Sequence, residues 1–336
     1  MARLELDVTV ETLRLAQPFR ISGRVFTGSD VVVVTLRDGD FRGRGEGGGV
    51  YYLNDDVPHM LYSIGAVRSA IEKGLTREDL RSLMPPGGAR NAVDCALWEL
   101  EAARAGVPVW QLAGQSAPHP LRTTFTLGAD TPEIMAEGAR RYADAKSIKV
   151  KLTGELELDI ARVKAIRAAR PDVWLGVDGN QGFVVDQLDE LVAVLEEQQV
   201  SLLEQPLARG READLYGYQS QVPIAGDESV LTLDDLAGAV GCFDVVNIKL
   251  DKCGGLTEGL LMAAEARRLG LGVMVGNMVG SSLAMAPAFV LGQGCDIVDL
   301  DGPTFLAEDR QPSVVYEAGT ITAGPEVWGS GGVTVA

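Results

Sequence analysis

Five short apolar runs between residues 148 and 251 each end in charge or amide. They are Ile148-Lys149-Val150-Lys151, Trp174-Leu175-Gly176-Val177-Asp178-Gly179-Asn180, Leu202-Leu203-Glu204-Gln205-Pro206, Ile224-Ala225-Gly226-Asp227-Glu228 and Val245-Val246-Asn247-Ile248-Lys249-Leu250-Asp251. Apolar runs of this length read as buried strands. Further strand candidates bring the starts to residues near 121, 147, 173, 200, 223, 244, 272 and 296. Helical patterns fill the gaps, such as Leu156, Ile160, Val163 and Ile166, or Leu188, Leu191, Val192 and Leu195. Eight strands alternating with helices, at a step of about 25 residues, predict an α/β chain folded as a (β/α)8 TIM-type barrel. A doubly wound open sheet is the rival, but it normally carries a Gly-rich turn after its first strand. Phe125-Thr126-Leu127-Gly128-Ala129-Asp130 is no such turn.

The segment before the barrel has a different rhythm. Leu4, Leu6, Val8 and Val10 alternate with polar residues, as a half-buried strand requires. Val31 to Arg37 gives a second strand, Asp38-Gly39 a turn, and Phe41 to Gly45 the returning arm of a hairpin. The polar stretch from Phe19 to Asp30 reads as a loop and a candidate lid. Helices are predicted over 56–73, 76–84 and 89–105, with Thr76 and Asp79 as an N-terminal cap. These elements make an N-terminal α+β capping domain over residues 1–115, followed by the barrel over 116–310. A tail, 311–336, is expected to return to the capping domain and pack Val314, Val315, Ile321 and Val327 there.

With 30 basic and 47 acidic residues, the chain carries a net charge of −17. Nucleic acid and anionic membrane are therefore poor partners, since both need a positive surface. No run is long and apolar enough to span a bilayer. None of Cys95, Cys242, Cys253 and Cys295 forms a C-x-x-C pair, so a reducing, cytoplasmic setting is expected. Whether the chain forms a homo-oligomer is not legible.

Side chains at the carboxyl ends of barrel strands converge on one mouth. Asp178, Glu204 and Asp227 fall there on three successive strands. Three carboxylates brought together need a cation, and a hard oxygen-binding ion such as Mg²⁺ suits them. The only histidines, His59 and His119, lie outside these strands, which argues against zinc. Lys149 and Lys151 share one face of strand two, and Lys249 ends strand six on the far side of the ring. A second ammonium and a dication nearby would favour a neutral lysine able to act as a base. Such a set suits removal of a proton α to a carboxylate, with return to the opposite face. Any one of these residues alone is more simply a solvated strand end. The ordered series K-x-K, D-x-N, E-Q-P, D-E-S and N-I-K-L-D-K carries the argument.

This series resembles the enolase superfamily, in its muconate-lactonising-like subgroup. The resemblance spans nearly the whole chain. It implies Asp178, Glu204 and Asp227 as ligands of Mg²⁺, Lys151 and Lys249 as the two acid/base groups, and Lys149 as a holder of the substrate carboxylate. Val298-Asp299-Leu300-Asp301-Gly302-Pro303 looks like the D-x-D of dipeptide epimerases, in which the aspartates meet the ammonium terminus of the substrate. Ala89-Arg90-Asn91-Ala92-Val93-Asp94-Cys95-Ala96-Leu97-Trp98 and Asn247-Ile248-Lys249-Leu250-Asp251-Lys252 resemble the same group. The implied reaction is Mg-dependent epimerisation of a dipeptide, by 1,1-proton transfer at the α-carbon of its C-terminal residue through an enediolate.

Arg24, Thr126 and Tyr52 are added as candidate contacts to the substrate. Relatives carry an arginine in the first loop, where Arg20 and Arg24 lie. The segment Tyr51-Tyr52-Leu53-Asn54-Asp55-Asp56 departs from their pattern, and Asp55 and Asp56 read as surface acid. The alternatives are a cycloisomerase, an o-succinylbenzoate synthase, an N-acylamino acid racemase, or a non-catalytic metal-binding barrel.

Overall fold

The computed structural model describes residues 3–21 and 24–330. Its first three strands, β1 (Glu5–Ile21), β2 (Arg24–Asp38) and β3 (Phe41–Gly48), form an antiparallel sheet in the order β1-β2-β3. Leu6 pairs with Leu36, and Leu4, Leu6, Val32, Val34 and Leu36 form the buried face. Helices α1 (Val57–Glu72), α2 (Arg77–Leu83) and α3 (Gly88–Ala105) cover that face. The cap expected at Thr76 is present: its hydroxyl accepts from Asp79 N, and Asp79 accepts from Thr76 N. Glycine alternates along β3, and a Cβ at Gly43, Gly45 or Gly47 would lie 2.0 Å from the carbonyl oxygen of Ala96, Ala92 or Gly88. The strand therefore lies directly on the backbone of α3, a closeness that side chains would forbid.

The stretch expected as a lid loop is instead the far end of the β1–β2 ribbon, where Phe19 pairs with Phe26. The register shifts between Arg14 and Phe19, a span that contains Pro18. A proline lacks the N–H of a regular ladder and is accommodated at such an irregularity. Backbone pairing resumes beyond it, from Phe19 opposite Phe26 to Ile21 opposite Arg24.

After the short α4 (Val109–Leu112) and β4 (Leu121–Arg122) come eight parallel strands. They are β5 (Phe125–Leu127), β6 (Ser147–Lys151), β7 (Trp174–Asp178), β8 (Leu202–Glu204), β9 (Ile224–Gly226), β10 (Val245–Lys249), β11 (Gly272–Gly276) and β12 (Ile297–Val298). Each neighbours the next, and Thr124 N donates to Val298 O at 3.0 Å, bringing the two edges of the curled sheet together. The helices α5 (Pro132–Arg141), α6 (Leu156–Ala169), α7 (Leu188–Glu197), α8 (Leu236–Ala239), α9 (Leu250–Cys253), α10 (Leu256–Arg268) and α11 (Ser282–Gly292) lie between them. This is the expected (β/α)8 architecture with its capping layer. One strand start was misplaced: Leu121 pairs with Ile321 in a small sheet made by β4, β13 (Val315–Glu317) and β14 (Thr320–Thr322).

The tail then reaches the capping layer. Trp328 Nε1 donates to Arg44 O at 2.9 Å, and Gly329 N to Glu99 Oε1 at 3.0 Å. Val314, Ile321 and Val327 are buried, but Ile321 pairs with Leu121 in the small sheet instead of packing in the capping domain, and Val315 is 53% exposed on an edge strand.

Candidate active site

Strand β6 reads Ser-Ile-Lys-Val-Lys, and its alternation turns Lys149 and Lys151 to one face. The parallel register sets Lys151 opposite Asp178 and Asp178 opposite Glu204. Asp227 follows β9 by one residue. All three carboxylates are buried, and one oxygen from each lies within 4.8 Å of the others. Lys151 Nζ donates to Asp178 Oδ2 at 2.6 Å. Lys249 Nζ donates to Asp227 Oδ2 at 2.5 Å. Lys149 Nζ stands 2.7 Å from Asp299 Oδ2, 2.6 Å from Glu204 Oε2 and 3.4 Å from Asp178 Oδ2. Its approach to Glu204 Oε2 is an ion pair without hydrogen-bond angles, so that oxygen has no hydrogen-bond donor.

The electrostatics follow from crowding charges away from water. Burial pushes the Glu204 carboxyl up to about 7, with Asp178 adding to the rise. Burial also acts on Asp178 and Asp227, but the facing lysines prevail and hold both below the usual carboxylate range. Burial alone would lower Lys149 and Lys249, yet the surrounding carboxylates raise both, Asp299 most for Lys149 and Asp227 most for Lys249. The carboxylates set the direction because each of these two lysines is paired with acid more closely than with another lysine.

At the seam of the barrel, two threonines meet two aspartates. Thr124 Oγ1 donates to Asp299 Oδ1, and Thr126 N donates to Asp301 Oδ2 at 2.6 Å. Burial tends to raise Asp299, but Lys149 and the Thr124 hydroxyl hold it low. Asp301 is pushed up to about 7, first by burial and then by Asp299. Thr126 thus reaches the site as a backbone holder of Asp301 as well as a wall residue.

A cleft of about 870 Å³, counting its open mouth, joins these groups. Lys149, Lys151, Lys249, Asp299, Asp301 and Thr126 line it together with Tyr52, Phe19, Phe26 and Phe305. Phe19 stacks on Phe305 with centroids 4.7 Å apart, so the ribbon end forms part of the wall. The Tyr52 hydroxyl is buried without a hydrogen-bond partner among the described residues. Arg24 begins β2, but its side chain lies outside the described residues. Asp55 is not surface acid: it is buried, accepting from Gly88 N and lying 2.9 Å from His59 Nδ1. Asp56 caps α1.

Four contributors escaped the sequence reading. Asn247 Nδ2 donates to Glu204 Oε1 at 2.9 Å, a role signalled only by its period-two spacing from Lys249. Gln205 ties two strand ends, accepting from Asp227 N and donating to Ser229 Oγ. Glu228 lines the cleft and is pushed up to about 8 by burial and then by Asp227. Lys252 is 1% exposed and donates to Asp227 Oδ1 at 2.5 Å, and to the carbonyls of Asp227, Val230 and Asn247. Its sequence neighbourhood does not separate it from a solvated lysine.

The donor set fits a hard cation. Its three buried carboxylate oxygens are close enough to share one ion, no sulfur or imidazole is among them, and one Glu204 oxygen lacks a hydrogen-bond donor.

Residues 3–114 match the mandelate racemase / muconate lactonizing enzyme N-terminal domain, and residues 134–327 match the enolase C-terminal domain-like family. The chain is 38% identical over 318 residues to the L-Ala-D/L-Glu epimerase of Escherichia coli, covering 94% of this chain and 98% of that one. An enolase family member from Agrobacterium tumefaciens, with homology to dipeptide epimerases and solved with sodium and L-Ala-L-Glu, superposes with a TM-score of 0.92. It is 42% identical, and the match covers 97% of this chain and 100% of that one. A dipeptide epimerase from Methylococcus capsulatus, solved with Mg and L-Arg-D-Lys, gives a TM-score of 0.90 at 27% identity, covering 96% and 98%. The chain belongs to the enolase superfamily, with the N-terminal and barrel domains of its mandelate racemase / muconate lactonizing branch.

Proposed function

We propose that this protein is a Mg²⁺-dependent dipeptide epimerase, which inverts the α-carbon of the C-terminal residue. The observation that carries the reading is the placement of Lys151 and Lys249. They stand on the second and sixth of eight barrel strands, on different members of one carboxylate triad. Asp178, Glu204 and Asp227 would hold the ion. Bound there, Mg²⁺ would neutralise negative charge that develops on the substrate carboxylate.

The chain's own groups divide the remaining work. Lys149 orients the substrate carboxylate as a fixed cation. Asp299 and Asp301 face the ammonium terminus, and Thr124 and Thr126 keep the two carboxylates in register. One lysine, neutral, takes the α-proton: the C–H bond breaks and its electron pair moves into the carboxylate π system, giving an enediolate. The opposite lysine, as ammonium, delivers a proton to the other face of that carbon. The net change is inversion, with no atoms gained or lost. The aromatic wall keeps water from the carbanionic carbon. Tyr52 and Arg24 are carried forward as contacts to the substrate side chains. A cytoplasmic location belongs to the same reading and is favoured by four unpaired thiols.

A dipeptide library incubated with enzyme and Mg²⁺ in D₂O tests this. Mass spectrometry is expected to find one deuterium at the C-terminal α-carbon of a subset of dipeptides, and none after chelation of the metal. N-acylated amino acids, which offer no ammonium to Asp299 and Asp301, are expected to exchange far less. Deuterium entering those instead would assign the site to an N-acylamino acid racemase.

A further inference from the structure

The two lysines read as opposed bases are not supported in the same way. Lys151 ends β6, and the turn after it is held from within the barrel: Asp159 accepts from Thr153 N at 3.0 Å and from Gly154 N at 2.8 Å. Lys249 ends β10 and is also the N-cap residue of the one-turn helix α9. That turn is gripped from two sides. On the barrel side, Lys252 plugs into Asp227 and three carbonyls.

The other side of α9 faces the capping domain. Asp251 Oδ1 accepts from Asn91 Nδ2 of α3 at 2.8 Å and from Gly48 N of β3 at 2.9 Å. Arg90 donates to the carbonyls of Cys253 and Gly254, which close the turn. One turn further along α3, Asp94 accepts from Thr257 N at 2.9 Å and Thr257 Oγ1 at 2.6 Å, and Trp98 Nε1 donates to the same hydroxyl. The fit leaves no slack. A Cβ on Gly254, which has φ +86°, would lie 2.2 Å from Arg90 Nε. The side chains named in this interface are buried and meet polar partners, and a buried polar group that loses its partner is costly.

We infer that helix α3 of the capping domain positions Lys249, and not Lys151, through Asn91 on Asp251. A single residue, Leu250, separates Asp251 from Lys249, so a shift of the turn is transmitted to the backbone that carries the base. The capping domain then holds one of the two proton-transfer groups in place, in addition to walling the cleft. Asn91 and Asp251 are positioning residues: neither lines the cleft. The inference rests on the two-base reading above.

The test measures the initial rate of α-deuterium incorporation separately from each of the two epimers of a reactive dipeptide. Lys249→Ala supplies the reference, since it silences the epimer whose proton faces Lys249. Asp251→Ala, in the full-length protein with Mg²⁺, is expected to slow exchange from that epimer about tenfold or more. Misplacing a catalytic group by an ångström costs on the order of a hundredfold. The other epimer is expected to change less than about twofold, within the scatter of positioning effects. Asp251→Asn keeps the acceptor oxygen and is expected to recover most of the lost rate relative to Asp251→Ala. Asn91→Ala leaves the Gly48 bond to Asp251 in place and is expected to give the same one-sided loss in smaller measure. Equal slowing from both epimers, or loss confined to the Lys151 side, in either folded variant would overturn the inference. Absence of exchange from both epimers in the wild type would instead overturn the epimerase reading.

Discussion

Asp227 receives two ammonium groups, Lys249 on Oδ2 and Lys252 on Oδ1. The first faces the cleft and the second does not. A buried carboxylate is tolerated only when its charge is matched and its lone pairs are filled. Lys252 matches the charge and donates to Oδ1, and it also approaches the main-chain carbonyls of Asp227, Val230 and Asn247. Lys252→Met keeps the stem and removes the charge. It is expected to cost roughly 3–5 kcal/mol of stability, the range for leaving one partner of a buried ion pair alone. Equilibrium denaturation in the presence of a chelator measures it.

The residues that bear charge at strand ends were legible because a βα repeat fixes where strand ends point. Lys252 was not, since three residues after Lys249 the chain has left the strand, and period two no longer says which way a side chain faces. Nor did Gln205 stand out. Its value lies in joining β8 to β9, and a pairing between strands leaves no local pattern.

At the level of elements, the alternation of glycine in β3 decides how α3 sits. Gly43, Gly45 and Gly47 meet the carbonyls of residues spaced four apart on the helix, so a straight strand lies along one helical row. The helix row Ala96, Ala92 and Gly88 is small for the same reason. Gly45→Ala would place Cβ 2.0 Å from Ala92 O and 2.8 Å from Ala96 N, both backbone atoms that cannot turn away. A loss of about 3 kcal/mol is expected, at the upper end for overpacking a tight contact, read as a fall in the denaturation midpoint. Helix limits in this layer could be read within a residue or two, because caps and apolar spacing are local signals. The ribbon from Phe19 to Asp30 could not. Its polar composition resembles a loop, while its strand pairing comes with Phe19 packed on Phe305, Phe26 on Tyr51, and an irregularity that takes up Pro18.

For the molecule as a whole, the junction between cap and barrel is a layer of buried polar contacts, and Asp94 is among the groups there that titrate in an accessible range. Asp94 is pushed up to about 6 by burial, against the pull of its bonds from Thr257. The folded state therefore binds this proton more tightly than the unfolded chain does. Its contribution is fully present below about pH 4 and is lost as the pH rises to about 6, an amount of roughly 3 kcal/mol from the shift alone. Asp94→Asn removes the titration. Wild-type stability is expected to fall relative to the variant across that window and to run parallel to it above. Stability curves that stay parallel from about pH 4 to 7 would contradict the assignment.

The barrel itself was predictable from a regular step of strands and helices, and so was the carboxylate triad that the repeat places on one rim. The closing of the ring was misjudged at its first strand. Leu121 satisfies the same apolar pattern as Phe125, and only the tail, some two hundred residues later, decides that Leu121 belongs to a different sheet.

The central claim is that Lys151 and Lys249 serve opposite faces of one carbon. Deuterium incorporation measured separately from the two epimers of one dipeptide, in Lys151→Ala and in Lys249→Ala, tests it most directly. Both variants are expected to lose epimerisation, and each is expected to retain exchange from one epimer only, a different epimer in each case. Retention of the same epimer by both variants would place the two amines on one side of the substrate and contradict the account.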